Sequence, residues 1–212
     1  MVRLVLVNPV ELQFKAGQYL FIKASERVLR AYSIASSPAQ KNEIEFCVKR
    51  VEGGVASNFL WNLQPNDEID LTGTFGHFIY KSDVQIERIV MIGTGTGVAP
   101  LKSMIEFALT EGEKRPLHLF FGERMKEDFY YLDQFAAWAT NYPNFTYTLC
   151  ASREEAEGFF YGRVTQALEK VLPVEKATSF YLCGGQAMLT DVRDLLEKYS
   201  VETKNIYQEK FF

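Results

Sequence analysis

Hydrophobic and polar positions divide the chain into two parts with different patterns. Up to about residue 84, short runs of strand-forming residues are separated by turn sequences that contain Gly, Pro, Asn and Asp. These runs predict strands at 3–7, 18–23, 31–35, 43–50 and 68–72, with one short helix at 56–63. Short strands at such regular intervals favour a closed antiparallel barrel.

From residue 88 onward, apolar strands alternate with helices. Strands are predicted at 88–92, 117–121, 145–150, 179–183 and 205–209. The clearest helix is 99–111, because Leu101, Met104 and Ile105 repeat at helical spacing. Pro100 stands near the start of this helix and Gly112 follows its end. Such alternation predicts a parallel sheet of the Rossmann-like α/β class, which binds ligands at the carboxyl ends of its strands.

Composition and charge narrow the function classes. The 212 residues carry a net charge of −4, which argues against a general nucleic-acid binder. No apolar run reaches the roughly 20 residues of a membrane span, and the N-terminus does not resemble a signal peptide. The sequence therefore predicts a cytoplasmic protein. Its three cysteines stand far apart with no C-x-x-C pair, so we expect no metal site and an organic redox cofactor.

A glycine-rich run at 93–100 directly follows the predicted strand at 88–92 and opens the predicted helix. Glycines let a backbone approach a ligand closely, and the free N–H groups of a helix start attract a pyrophosphate. The spacing is not that of the G-x-G-x-x-G fingerprint, so the run by itself is a moderate signal for nucleotide binding.

Seven segments in order resemble the ferredoxin–NADP reductase family over nearly the whole chain. They are 30–33, 46–50, 54–60, 71–76, the glycine run, 181–185 and the aromatic C-terminus. The resemblance implies two domains, an antiparallel β-barrel at 1–84 that binds FAD and an α/β domain at 85–212 that binds NAD(P). It also implies an enzyme, a flavoprotein oxidoreductase that transfers hydride between NAD(P)H and FAD. Single electrons would pass to or from a ferredoxin or another iron–sulfur protein.

The resemblance assigns the first half to FAD. Arg30 would pair with the FAD pyrophosphate, Tyr32 would stack on the isoalloxazine ring, and Ser33 would lie near N5, where hydride arrives. The other FAD-binding residues are expected to be Cys47, Val48, Lys49, Gly54, Val55, Ala56 and Ser57. Alternatives stay open, since Ser57 also suits a helix cap and Cys47 a buried core position.

The resemblance assigns the second half to the dinucleotide. The residues expected to bind it in the glycine run are Gly95, Thr96, Gly97 and Pro100. Ser152, Arg153 and Arg163 follow the third strand, and a serine with arginines accommodates a 2′-phosphate, so NADP is favoured over NAD. The alternative for Arg153 is a solvated ion pair with the neighbouring glutamates 154 and 155. The loop 122–124 is a weaker candidate for the same ligand.

The last two predicted strands complete the expected site. By resemblance, Cys183 and Gly184 would lie beside the nicotinamide ring, and Glu209 would assist proton delivery to Ser33 and the flavin. A terminal aromatic residue, Phe212 or its neighbour, would cover the flavin on the nicotinamide side. The catalytic residues are thus expected to be Ser33, Cys183 and Glu209. The alternatives are a strand-end packing position for Cys183 and a surface carboxylate for Glu209.

Two other functions stay open at this level. The chain starts almost at its first predicted strand, whereas barrels of this family usually have an earlier one. We therefore expect a trimmed barrel, loosely held FAD or a fragment of a longer protein. Loosely held flavin would suit an NAD(P)H-dependent reductase of free flavin. A different class is a non-catalytic nucleotide-binding electron-transfer subunit, which has no need of Ser33, Cys183 and Tyr32 together.

Overall fold

In the computed structural model, which describes residues 1–174 and 177–211, the first half of the chain consists of short antiparallel strands. Its elements are β1 (Val2–Val5), β2 (Tyr19–Ser25), β3 (Val28–Ser33), β4 (Glu43–Phe46), α1 (Val55–Asn62) and β5 (Leu71–Phe75). Strand β2 lies between β3 and β5, and β1 pairs with β4. The antiparallel architecture predicted for this half is confirmed.

The two sheets of the first half share one apolar core and a bridge between Ile34 and Phe46. The buried side chains of this core are Leu20, Ile22, Ile34, Ile44, Phe46, Val48 and Leu60. Strands β1 and β5 are not hydrogen-bonded to each other in the described residues. A groove of about 1570 Å³ opens along β1 and the segment 63–71 instead. The ring of strands is open here because residues 63–70 form a turn and irregular chain rather than a continued ladder.

The second half forms a parallel sheet with helices on both faces. Its elements are β6 (Arg88–Thr94), α2 (Val98–Thr110), β7 (Leu117–Glu123), α3 (Leu132–Asn141), β8 (Phe145–Ala151), β9 (Phe160–Tyr161), α4 (Val164–Glu169), β10 (Thr178–Gly185), α5 (Gln186–Lys198) and β11 (Ile206–Phe211). The spatial order of the described strands is β11-β10-β6-β7-β8-β9, and every pair is parallel. The predicted α/β sheet is confirmed, and the two-residue β9 adds an edge strand that the pattern does not predict.

The sequence explains why the central strand and helix form where they do. Residues 89–92 of β6 are all buried, as expected for a parallel strand covered on both faces. Helix α2 ends at Thr110, and Gly112 follows two residues later with a φ of 84°, in the left-handed region that suits glycine. Its N–H donates to the carbonyl of Leu109, and the N–H of Glu113 donates to that of Ala108, so the last turn is satisfied. Among the described residues, no helix has the length and apolar character to cross a bilayer.

Helix α2 also contacts the first half of the chain, and it places a lysine in that contact. Lys102 is 2% exposed. Its Nζ lies 3.3 Å from Oε1 of Glu45 on β4 and 3.2 Å from Oε2 of Glu106 on its own helix. The same ammonium donates to the carbonyl of Ala35 at 3.1 Å. Three oxygens from both halves therefore surround one buried positive charge.

Further hydrogen bonds fix the path of the chain between the halves. Ser103 of α2 donates to the backbone carbonyl of Ser36 at 2.7 Å. Arg115 donates to the carbonyls of Asp83 and Ile86 in the connecting segment. The connection is thus held against the second half of the chain.

Candidate functional site

Ser33, Cys183 and Glu209, the three residues predicted to be catalytic, meet where the two halves join. Cys183 on β10 pairs in register with Glu209 on β11. Ser33, the last residue of β3, donates a long hydrogen bond of 3.4 Å to Oε2 of Glu209. Residues that are 176 positions apart in the chain therefore share one partly buried polar site.

The environment of this site sets the protonation of its groups. Burial raises the pKa of Glu209 to about 7, and the hydrogen bond from Ser33 opposes that rise. Glu209 can therefore hold or release a proton near neutral pH. Burial, with a smaller contribution from Glu209, raises the pKa of the Cys183 thiol well above its ordinary value. Cys183 is thus a neutral thiol and not a nucleophilic thiolate.

The glycine turn lies beside this site. A short 3-10 turn at Gly95–Gly97 connects β6 to α2. No side chain caps the start of the 3-10 turn or the start of α2. A Cβ added to Gly97 would overlap the carbonyl oxygen of Cys183, so glycine is needed for this close approach. A Cβ on Gly184 would likewise overlap the side chain of Thr94. Thr96 lies within the turn and Pro100 in the first turn of the helix, so the predicted dinucleotide-binding segment is next to the catalytic candidates.

Strand β3 presents the residues predicted to bind FAD. Arg30 is exposed, and its guanidinium donates to the carbonyl of the adjacent Leu29 at 2.8 Å. Tyr32 is half-buried and packs edge-to-face on Phe46 with ring centroids 6.0 Å apart. Burial raises the pKa of Tyr32, and the nearby Arg30 charge opposes that rise. The strand therefore offers a cation, an aromatic ring and the Ser33 hydroxyl in sequence.

The segment after β4 contributes backbone more than side chains. Cys47 and Val48 are 5% and 4% exposed, so their side chains face the core. Burial raises the pKa of the Cys47 thiol to about 12. Lys49 is exposed, and its ammonium lies 3.4 Å from Oδ1 of Asp128 in the other half. The predicted strand 43–50 ends early, at Phe46, because residues 47–50 leave the ladder.

Helix α1 begins at Val55 with Gly54 as its N-cap and Ala56 in its first turn. No side chain caps its first N–H groups. The Ser57 hydroxyl instead accepts from the N–H of Val51 at 3.1 Å and donates to the carbonyl of Gly54 at 3.3 Å. Ser57 thus stabilises the preceding glycine turn. The N–H groups of the first turn of α1 have no acceptor within the helix and are directed away from its end.

A cavity of about 300 Å³ lies at the carboxyl ends of β6, β7 and β8. Ser152 and Arg163, two of the three residues predicted to recognise a 2′-phosphate, line it. Arg163 also lies 3.6 Å from Oδ2 of Asp191. The remaining residue, Arg153, is exposed and is not among the lining residues. The alternative for Arg153, an ion pair with Glu154 or Glu155, is not seen among the described residues, and the Glu154 carboxylate accepts the backbone N–H of Lys126 instead.

Glu123 and Arg124 of the loop 122–124, the weaker candidate for this ligand, line the cavity at the end of β7 and directly after it. One further charged residue of the cavity was missing from the predicted site. Asp191 reaches it from α5, and nothing in the sequence pattern marks this position. Phe212 lies outside the described residues, whereas Phe211 is the half-buried end of β11. No cluster of metal-binding side chains occurs in the described part of the chain.

Family models match both halves. A model described as an oxidoreductase FAD-binding domain matches residues 1–80, and one described as an oxidoreductase NAD-binding domain matches residues 91–194. The boundary predicted between residues 84 and 85 stays a prediction.

Similar proteins agree with both matches. The toluate 1,2-dioxygenase electron transfer component of Pseudomonas putida is 32% identical over 205 residues, which cover 95% of this chain and 60% of that protein. The ferredoxin–NAD(P)+ reductase component of naphthalene 1,2-dioxygenase/salicylate 5-hydroxylase systems from a Ralstonia species is 30% identical, with coverages of 99% and 63%. The chain therefore spans about 60% of the length of these curated relatives.

Solved structures extend the similarity. The cytochrome P450 reductase GcoB of Amycolatopsis is 31% identical with a TM-score of 0.88, over 95% of this chain and 62% of that one. A ferredoxin NADP+ reductase from Neisseria gonorrhoeae with bound FAD and NADP shares the fold at 22% identity and a TM-score of 0.82, with coverages of 94% and 88%. Two consecutive domain matches, these relatives and the shared fold place the chain in the ferredoxin–NADP reductase-like family of flavoproteins.

Proposed function

We propose that this protein is a flavin-dependent NAD(P)H reductase in which residues 1–84 bind FAD and residues 85–212 bind the dinucleotide. FAD would supply the redox chemistry, accepting hydride and releasing electrons one at a time. The observation that carries the proposal is the contact between Ser33 and Glu209 beside Cys183, since it unites strand ends of both halves. A binding module without catalysis would not need such a polar site between its domains.

The first half fits FAD. A pyrophosphate needs cations and N–H donors, and an isoalloxazine ring needs an aromatic or apolar surface. Arg30 has an exposed guanidinium, α1 begins with N–H groups that no side chain caps, and Tyr32 offers a half-buried ring. We assign backbone contacts to Cys47, Val48, Gly54, Val55 and Ala56, with Lys49 and Ser57 at the edge of the site.

The second half fits a dinucleotide. We assign its pyrophosphate to the turn that contains Gly95, Thr96 and Gly97, with Pro100 fixing the start of the following helix. NADPH rather than NADH is favoured by the two guanidinium groups, Arg124 and Arg163, that line the cavity with Ser152. Arg153 keeps its predicted role in 2′-phosphate binding, and an exposed side chain is free to reach a ligand.

Each catalytic candidate then has a role that its surroundings permit. The Ser33 hydroxyl would orient the reacting ring, and Glu209 would hold its proton or pass it on. Cys183 and Gly184 would let the nicotinamide lie close, because a neutral thiol and a glycine leave room at the strand end. Phe212 or its neighbour Phe211 would cover the flavin on the nicotinamide side in the absence of the dinucleotide.

The partner and location are proposed on separate grounds. Two of the relatives are named as an electron transfer component and as a ferredoxin–NAD(P)+ reductase component, so we propose a ferredoxin-like iron–sulfur protein as the electron partner. Cys47, Cys150 and Cys183 are all free thiols, which suits the reducing cytoplasm.

The test is an absorbance spectrum of the purified protein with FAD, followed by anaerobic titration with NADPH and then NADH. We expect the spectrum of a bound flavin, and we expect its absorbance to bleach on titration. NADPH should bleach it at a lower concentration than NADH. Protein that reduces flavin only in free solution would replace the proposal with a free-flavin reductase. Protein that neither binds FAD nor reduces it would leave a nucleotide-binding subunit without catalysis.

A further inference from the structure

Glu123 has a side chain that no role above explains. It is the last residue of β7, the strand next to the one that carries the glycine turn. Its backbone carbonyl accepts both the N–H and the hydroxyl of Ser152, at 3.1 and 3.3 Å. The position of Glu123 is therefore fixed by the sheet, and its carboxyl is held at the ligand-binding edge.

The carboxyl of Glu123 lacks a partner at one oxygen. Its Oε1 is buried and has no hydrogen-bond partner within residues 1–174 and 177–211. This oxygen lies 4.0 Å from a Cβ built on Gly95, so it is directed at the glycine turn. Both residues also line the 300 Å³ cavity. A buried acceptor without a donor is rare in folded proteins and calls for an explanation, here a donor on a bound molecule.

The functional groups of a dinucleotide indicate which of them could donate a hydrogen bond to Glu123. Phosphates carry no donor at neutral pH and would repel a carboxylate, whereas ribose hydroxyls donate well. The glycine turn on β6 is assigned to the pyrophosphate, and neighbouring strands are about 4.8 Å apart. The ribose that adjoins the pyrophosphate on the adenosine side would therefore lie over β7, and a 2′-substituent over β8, near Ser152.

Resting on the proposed function, we propose that Glu123 binds a hydroxyl of the ribose on the adenosine side of the dinucleotide. This hydroxyl is one that both NAD and NADP carry, so it is present whether or not the ribose bears a 2′-phosphate. Glu123 is thus a binding residue for the dinucleotide as such and not a selector between NADP and NAD. FAD also has a ribose beside a pyrophosphate, and Glu123 is near the FAD-side segment 47–49, so the experiment separates the two ligands.

The charges around Glu123 give the proposal a pH signature. Burial raises the pKa of this carboxyl to about 7; Lys49 and Arg124 lower it and Asp128 raises it. Cys47 in the other half and Tyr130 in the loop after β7 also interact electrostatically with this carboxyl. Of these charges, Lys49 is itself paired with Asp128 at 3.4 Å. Ionised Glu123 should accept a hydroxyl more strongly than protonated Glu123.

The test is calorimetric titration of the FAD-loaded protein with NAD+ and, separately, NADP+, at pH 6, 7 and 8. These oxidised forms do not reduce the flavin. If only the ionised carboxyl binds, a pKa of about 7 makes the dissociation constant about tenfold smaller at pH 8 than at pH 6. Glu123→Gln should weaken both ligands by about 5- to 10-fold at pH 8 and abolish this pH dependence. Glu123→Asp should retain the pH dependence.

A control variant and the wild-type protein distinguish a failure of the Glu123 inference from a failure of the proposed function. Glu127→Gln removes an exposed carboxylate nearby and should leave both dissociation constants and their pH dependence unchanged. Wild-type affinity and pH dependence in Glu123→Gln would overturn the inference while leaving the reductase intact. The inference would also be overturned if Glu123→Gln lost affinity for FAD but kept its affinity for the dinucleotides. The same holds if the variant bound NAD+ more weakly but NADP+ as tightly as the wild type. Failure of the wild-type protein to bind any dinucleotide would instead refute the proposed function.

Discussion

Replacing Lys102 with methionine should strongly destabilise the protein, because it leaves buried carboxylates without their cation. Lys102 is 2% exposed and Glu45 is 4% exposed, while Lys102 lies within 3.3 Å of carboxylate oxygens on both Glu45 and Glu106. Arg3 also pairs with Glu45 at 2.8 Å but is largely exposed, so it compensates only in part. Breaking a buried ion pair from one side costs about 3–5 kcal/mol.

Urea denaturation at pH 7, followed by fluorescence, measures this cost. Trp61 lies in the first half and Trp138 in the second, so both halves report. With a slope of about 2–3 kcal/mol per molar urea, the expected loss lowers the midpoint by about 1–2 M. The control is Lys198→Met, which removes an exposed ion pair with Glu169 and should leave the midpoint nearly unchanged.

The pH dependence and a double variant make the reasoning refutable. Burial raises the pKa of Glu45, but Lys102 and Arg3 more than offset this and lower it below its ordinary value. Stability from this pair is therefore present above the unfolded-state pKa and is lost as pH falls through the folded-state pKa. The deficit of Lys102→Met should shrink in acid, and adding Glu45→Gln should recover part of it at pH 7. A midpoint equal to that of the wild type at pH 7 would refute the argument.

Three further predictions concern the proposed reaction. Ser33→Ala should retain FAD but slow its anaerobic reduction in stopped-flow by about 10- to 100-fold, and an unchanged rate would remove Ser33 from the site. If protonated Glu209 supplies the proton, the wild-type rate should fall above about pH 7, where Glu209 ionises. Glu209→Gln should show no such fall, and identical profiles would contradict the role. Arg163→Ala and Arg153→Ala should each raise KM for NADPH about tenfold with little effect on KM for NADH, and equal changes for both substrates would exclude 2′-phosphate binding.

Local signals in the sequence predict the parallel half closely. The predicted helix 99–111 and the observed α2 (Val98–Thr110) differ by one residue at each end. This agreement has a physical cause, since Gly112 satisfies the last turn through its left-handed conformation. The apolar run 89–92 is likewise explained by the fold, because a parallel strand covered on both faces buries every side chain in it.

Contacts between distant segments could not be predicted in the same way. A lysine in an amphipathic helix is expected to face solvent, yet Lys102 is buried because the first half covers that side of α2. The periodicity of a helix carries no information on what packs against its polar side. Asp191 is similar, since it joins the cavity only through the position of α5 beside β10. By contrast, Ser33 and Glu209 were each assigned through a resemblance, and their hydrogen bond followed from the fold.

The buried charge on α2 also limits how the two halves can be recombined with those of other proteins. A hybrid that joins residues 1–84 to a foreign dinucleotide domain would bury Glu45 opposite whatever residue replaces Lys102. The carbonyls of Ala35 and Ser36 would lose their donors as well. A hybrid protein that keeps the first half of this chain therefore also has to keep Lys102 and Ser103 of α2, because β4 and the segment 35–36 depend on them.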